Sequence, residues 1–105
     1  MLTDWLKSIN GLLIDITGVL YESGDIPRPI EQSADALKLL DALDIKYILC
    51  TNETVKTTAD LAAKLNRLGY DISKEKIVAP APCVVAYLAE HNLRPWLIVH
   101  SGLYY

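Results

Sequence analysis

Two short apolar runs with a helical-period stretch between them constrain this chain more than any other feature. Gly11-Leu12-Leu13-Ile14-Asp15 is continuous apolar sequence ending on an acid. It predicts a strand buried on both faces, the pattern of a parallel sheet. Ile45-Lys46-Tyr47-Ile48-Leu49-Cys50 is rich in β-branched and aromatic residues and predicts a second strand. Between the two, Ile30, Ala34, Leu37, Leu40 and Leu43 recur at helical spacing over residues 30–43. Parallel strands need a crossover, and a helix of this length supplies one of right-handed sense.

The same alternation continues. Residues 17–29 hold Gly18, Gly24, Pro27 and Pro29 and predict loop. Residues 57–68 predict a second helix, with Leu61, Leu65 and Leu68 on one face and Gly69 as its stop. Ile77-Val78-Ala79 predicts a short strand. Residues 83–91 predict a third helix, entered through Pro80 and Pro82. Trp96-Leu97-Ile98-Val99-His100 predicts a last strand. The order is an α/β fold with a three- to four-stranded, mostly parallel sheet. A doubly wound sheet commonly has about five or six strands. Residues 1–105 are therefore expected to be the N-terminal part of a larger core domain.

Composition excludes several classes. With 51% hydrophobic and 22% charged residues over 105 positions, the chain has enough apolar surface for one core and is not a disordered segment. A net charge of −3 leaves no basic footprint, so neither nucleic acid nor an acidic membrane is an expected partner. Asp4 and Asp15 interrupt what a leader would need, and the apolar run over residues 79–89 contains Pro80 and Pro82 and is too short to span a bilayer. Cys50 and Cys83 make neither a disulfide framework nor a metal spacing. A reducing compartment is expected, the cytoplasm first and the nucleus as an alternative. Each cysteine is expected as a small buried apolar group.

Chemistry is expected at the carboxyl ends of the strands, where open α/β sheets bind ligands. The first strand ends at Asp15 and leads into Thr17 and Gly18. The second ends at Cys50 and leads into Thr51, Asn52 and Glu53. If the two strands are neighbours, Asp15 and Thr51 open on one crevice. A carboxylate, a hydroxyl and loop N–H groups then suit a phosphate and Mg²⁺. The alternative is that Asp15 caps a loop and Thr51 caps a helix. Glu53 is expected to cap the second helix, His91 to end the third, and His100 to have a structural role at the end of the last strand. Trp96, Tyr104 and Tyr105 are expected as exposed apolar surface that favours association.

These motifs resemble the haloacid-dehalogenase-type phosphatases. Gly11-Leu12-Leu13-Ile14-Asp15-Ile16-Thr17-Gly18-Val19-Leu20-Tyr21 is similar to their first motif, and Cys50-Thr51-Asn52-Glu53 to their second. The resemblance is greater to the subgroup acting on phospholysine, phosphohistidine and inorganic pyrophosphate. It is carried further by Leu68-Gly69-Tyr70-Asp71-Ile72-Ser73, Ala79-Pro80-Ala81-Pro82, Leu93-Arg94-Pro95 and the stretch ending at His100. The resemblance implies a Rossmann-like core and a Mg²⁺-dependent phosphatase or pyrophosphatase. In it Asp15 is the nucleophile, forming an aspartyl-phosphate. Mg²⁺ is held by Asp15 and the Thr17 carbonyl. Phosphoryl oxygens are held by Thr51, Asn52 and the N–H groups of Ile16 and Thr17.

Two departures from the family pattern matter. Thr17 stands where most of the superfamily has a second Asp that protonates the leaving group. A hydroxyl is too weak an acid for that near neutral pH, which favours substrates with better leaving groups. The family's later Lys and metal-binding Asp have no counterpart after Lys76 and Asp71. The resemblance thus implies the first part of a core domain without its cap, whether a short isoform, a truncated product or a fragment. Self-association through an incomplete sheet, in a catalytically inactive short form, is the alternative function. A phospho-accepting receiver domain fits poorly, because its acidic pair after the first strand is missing here.

Overall fold

Both apolar runs form strands in the computed structural model, which describes residues 4–103. The elements in chain order are α1 (Asp4–Lys7), β1 (Leu12–Asp15), β2 (Tyr21–Glu22), β3 (Arg28–Pro29), α2 (Ser33–Ala42), β4 (Tyr47–Cys50), α3 (Thr58–Arg67), β5 (Ile77–Val78) and α4 (Pro80–Glu90). Single 3-10 turns lie at Lys74–Lys76 and Ser101–Leu103. The fold is α/β, with a three-stranded parallel sheet in the order β1-β4-β5. Leu12 N–H donates to Lys46 O at 2.9 Å, and Thr51 N–H to Val78 O at 3.0 Å. No helix among the described residues is long and apolar enough to cross a membrane.

The chain divides after Leu49 into two compact units. In the first, Ile16, Leu20, Tyr21, Leu37, Tyr47 and Leu49 are buried. These come from the turn after β1, from β2, from α2 and from β4. In the second, Leu61, Ala62 and Leu65 of α3 are buried, as are Tyr70, Ile72, Ile77 and Ala79. At about 25 cal/mol per Å² of apolar area, these aliphatic and aromatic side chains are the main stabilising term in each unit.

Local chemistry explains the helix limits. α2 begins at Ser33, three residues later than its apolar spacing suggests, because Gln32 adopts φ 66°, which no α-helix accommodates. Ser33 Oγ donates to Ile30 O at 2.6 Å and to Leu20 O at 3.2 Å, and Ile30 N–H donates to Leu20 O at 2.8 Å. Those bonds tie the start of α2 to the turn that follows β1. α3 is capped by Thr57, whose Oγ1 accepts from Asp60 N–H at 3.1 Å and donates to Asp60 Oδ2 at 2.9 Å. It ends at Gly69, whose φ of +100° suits only glycine, with Tyr70 N–H returning to Leu65 O.

Several expectations are corrected. The 17–29 stretch is not all loop: β2 and β3 pair antiparallel, Tyr21 opposite Pro29 and Glu22 opposite Arg28. Two-residue strands carry no periodicity for the eye to find. α4 starts at Pro80, so both prolines sit inside its first turn, where the N–H they lack has no helical partner anyway. β1 is not buried on both faces. It is the terminal strand, with Leu12 and Ile14 half-buried and Leu13 78% exposed. The expected strand at residues 96–100 does not form. Trp96 and Ile98 are 99% and 98% exposed. A strand draws its bonds from a neighbour, and β5 offers an edge of only two residues. Trp96 is thus the exposed surface expected of it, whereas Tyr104 and Tyr105 lie outside the described residues.

Candidate functional site

Backbone bonds shape the loop after β1, and two side-chain bonds add to them. Leu20 N–H donates to Ile16 O at 2.8 Å, Val19 N–H to the same oxygen at 3.2 Å, and Gly18 N–H to Tyr21 O at 2.8 Å. Gly18 has φ +85° with open space around its Cα, so a side chain there meets no clash but pays the left-handed penalty. The result is a tight reversal that leaves Asp15 and Thr17 exposed over a buried Ile16. Asp15 Oδ1 accepts from the N–H of Ile16 at 2.8 Å. Ile16, expected to turn its N–H to a phosphate, thus directs it to the carboxylate of its neighbour. A carboxylate accepts through two oxygens and several lone pairs, so this bond orients the group without exhausting it.

Thr17 Oγ1 donates to the phenol oxygen of Tyr21 at 3.4 Å. Tyr21 is 2% exposed and opens β2. Its position four residues after Thr17 could have flagged it in the sequence, once a reversal at Gly18 is assumed.

In the second unit, Thr51 follows β4 and is half-buried, and Asn52 is exposed. Thr51 Oγ1 accepts from Glu53 N–H at 3.1 Å, a threonine-based turn. That bond leaves the hydroxyl proton to be donated elsewhere. Glu53 does not cap α3, which Thr57 serves. Its Oε1 instead accepts from Val55 N–H at 2.8 Å, closing the next turn of the same loop.

The other singled-out residues have structural surroundings. Cys50 is half-buried, and Cys83 is exposed rather than buried, because no residue of α4 is buried. His91 is the C-cap of α4, as expected; its Nδ1 lies 2.8 Å from Tyr87 O and its ring stacks on Tyr87 at 4.1 Å. His100 follows irregular chain and not a strand; its Nδ1 accepts from Gly102 N–H at 3.0 Å. Among the described residues no three His, Cys, Asp or Glu side chains converge as a metal centre. What Asp15 and Thr17 offer is one carboxylate and one backbone carbonyl. Both are hard oxygen donors, and Mg²⁺ commonly takes about one or two carboxylates together with waters and substrate oxygens. The donor set therefore fits Mg²⁺ with a phosphorylated substrate present.

Comparison with known proteins extends this picture. Residues 12–103 match the family described as haloacid dehalogenase-like hydrolase. The chain is 42% identical over 99 residues to the phospholysine phosphohistidine inorganic pyrophosphate phosphatase of Homo sapiens, covering 93% of this chain and 37% of that protein. It is 42% identical over 101 residues to the protein of the same name from Danio rerio, covering 95% and 37%. The chain thus spans little more than a third of the length of these relatives. Among solved structures, a hypothetical protein of Pyrococcus horikoshii superposes with TM-score 0.77 at 26% identity, over 90% of this chain and 36% of the other. A glycerol phosphate phosphatase of Mycobacterium tuberculosis, in complex with calcium, superposes with TM-score 0.71 at 23% identity, over 92% and 28%. At that identity the second likeness speaks for the fold alone. A match over most of the chain, joined to relatives above 40% identity, is decisive: the chain belongs to the haloacid dehalogenase-like hydrolase family.

Proposed function

We propose that this chain carries the nucleophile and phosphate-binding motifs of a Mg²⁺-dependent phosphatase acting on pyrophosphate, phosphohistidine or phospholysine. The observation that carries the reading is Asp15, exposed at the carboxyl end of β1, with one oxygen tied to the adjacent Ile16 N–H. A carboxylate held by one oxygen presents the other for attack. Asp15 attacks phosphorus in line, the bond to the leaving group breaks, and an aspartyl-phosphate forms on the Asp15 carboxylate. Water then attacks phosphorus and releases Asp15 and inorganic phosphate.

Thr51 donates its hydroxyl proton to a phosphoryl oxygen, with Glu53 N–H holding the hydroxyl in place. The amide of Asn52 and the N–H of Thr17 take the remaining oxygens. Asp15 and the Thr17 carbonyl are the groups that would hold Mg²⁺, which when bound neutralises phosphate charge. Thr17 in place of an acid suits a leaving group that departs without a strong proton donor, and this favours pyrophosphate and phosphorus–nitrogen substrates over alkyl phosphates.

A specific observation supports a second reading, association through the sheet. β1 is the terminal strand and Leu13 is 78% exposed. An apolar sheet edge of this kind recruits strands from other chains.

Replacing Asp15 separates the two. With Mg²⁺ and pyrophosphate, Asp15→Asn should abolish phosphate release while leaving the oligomeric state unchanged, since an amide is no nucleophile here. Equal turnover in the two proteins would refute the phosphatase reading and leave association as the function.

A further inference from the structure

We infer that Tyr21 is a positioning residue that sets the rotamer of Thr17 and so determines how the Thr17 hydroxyl meets the reacting phosphoryl group. The inference rests on the phosphatase reading of Asp15. Thr17 is exposed, and an exposed threonine side chain is free to populate more than one staggered χ1 well. Here its Oγ1 donates to the phenol oxygen of Tyr21 at 3.4 Å. The phenol is a fixed post. Tyr21 is 2% exposed, starts β2, and pairs with Pro29 across the β2–β3 ladder. The two residues are also held together through the main chain, by the isolated bridge between Thr17 and Tyr21 and the 2.8 Å bond from Gly18 N–H to Tyr21 O. A mobile hydroxyl two residues from the nucleophile is thus tethered to an immobile ring.

The tether has a chemical consequence. A hydroxyl has one proton and two lone pairs. When its proton is directed to Tyr21, the Thr17 hydroxyl has lone pairs left to accept from other groups. In that state it accepts a hydrogen bond from water and can place it for attack on the aspartyl-phosphate. It does not donate to a leaving group. Both hydroxyls can rotate, and the Tyr21 contact fixes the direction of the Thr17 oxygen whichever of the two donates. At 3.4 Å the contact is longer than the usual hydroxyl pair, about 2.7–2.8 Å, so its effect is to select a rotamer rather than to add much stability. Bonds of this kind in unliganded sites commonly shorten when substrate is bound.

Tyr21→Phe keeps the ring and removes only the phenol oxygen. Its test is the χ1 angle of Thr17, read by NMR from the three-bond couplings of the Thr17 γ-methyl carbon to its backbone N and C′. The original chain should give couplings of one staggered rotamer, and Tyr21→Phe should give averaged values. Identical couplings in both proteins, or averaging already present in the original, would overturn the inference. Turnover of pyrophosphate with Mg²⁺ gives the second readout. Tyr21→Phe should lower kcat about twofold with little change in KM, the low end for one neutral hydrogen bond, as the length of the contact implies. It should lower kcat no further in a Thr17→Val background. Independent, multiplying losses would also count against the tether. Asp15→Asn, run beside them, isolates the underlying reading: turnover that survives it defeats the phosphatase assignment, whereas its loss together with an unaltered Tyr21→Phe defeats only the role of Tyr21.

Discussion

On the proposed mechanism, Thr17 is the residue that most restricts the choice of substrate. It stands two positions after Asp15, where a carboxylic acid would serve both as proton donor and as base. Its hydroxyl can do neither well near neutral pH. Thr17→Asp should therefore keep activity on pyrophosphate and raise it on alkyl phosphates, measured as the ratio of kcat/KM for the two substrates. A ratio that does not move would mean proton transfer to the leaving group is not what Thr17 lacks. Asp15, Thr17, Thr51 and Asn52 were singled out because strand ends in an alternating pattern point to a few polar residues, and their placement at or just after the ends of β1 and β4 was legible. The engagement of Ile16 N–H with Asp15 and of Glu53 with Val55 was not legible. Both are bonds between near neighbours, decided by loop dihedral angles that no residue pattern encodes.

Elements were legible in proportion to their periodicity. α3 repeats Leu61 and Leu65 on one face and carries its own stop at Gly69, so its limits were read to within a residue. Its cap is worth a direct check. Thr57→Ala removes the acceptor for Asp60 N–H and should cost about 1 kcal/mol by thermal or denaturant melting. A loss near zero would show that Asp60 N–H finds water equally well. β1 was recognised as a strand, but its burial was misjudged. Continuous apolar sequence reports only what a strand could bury, and the neighbours that bury it come from elsewhere in sequence. The same reason accounts for residues 96–100, which have strand composition and no ladder. Leu13→Lys places a charge on the open β1 edge. In sizing chromatography it should reduce self-association with little change in melting, since Leu13 is already exposed. An unchanged elution profile would exclude β1 as the contact.

At the scale of the whole molecule, each unit has a small core and a large exposed apolar surface. α4 buries no residue, and Trp96 and Ile98 stand almost wholly in solvent. Patches of this kind mark surfaces that associate. The catalytic expectation is equally specific. On the proposed mechanism Asp15 forms an adduct, and Thr17 offers no strong base to the water that hydrolyses it. The central claim is thus tested most directly by trapping the adduct. The chain is incubated with Mg²⁺ and inorganic pyrophosphate, quenched in acid, and its peptides are weighed by mass spectrometry. The account predicts the mass of one phosphoryl group on the peptide that contains Asp15, and none on that peptide in Asp15→Asn. A phosphoryl group carried on His91, His100 or a hydroxyl residue instead, or one that persists in Asp15→Asn, would contradict it.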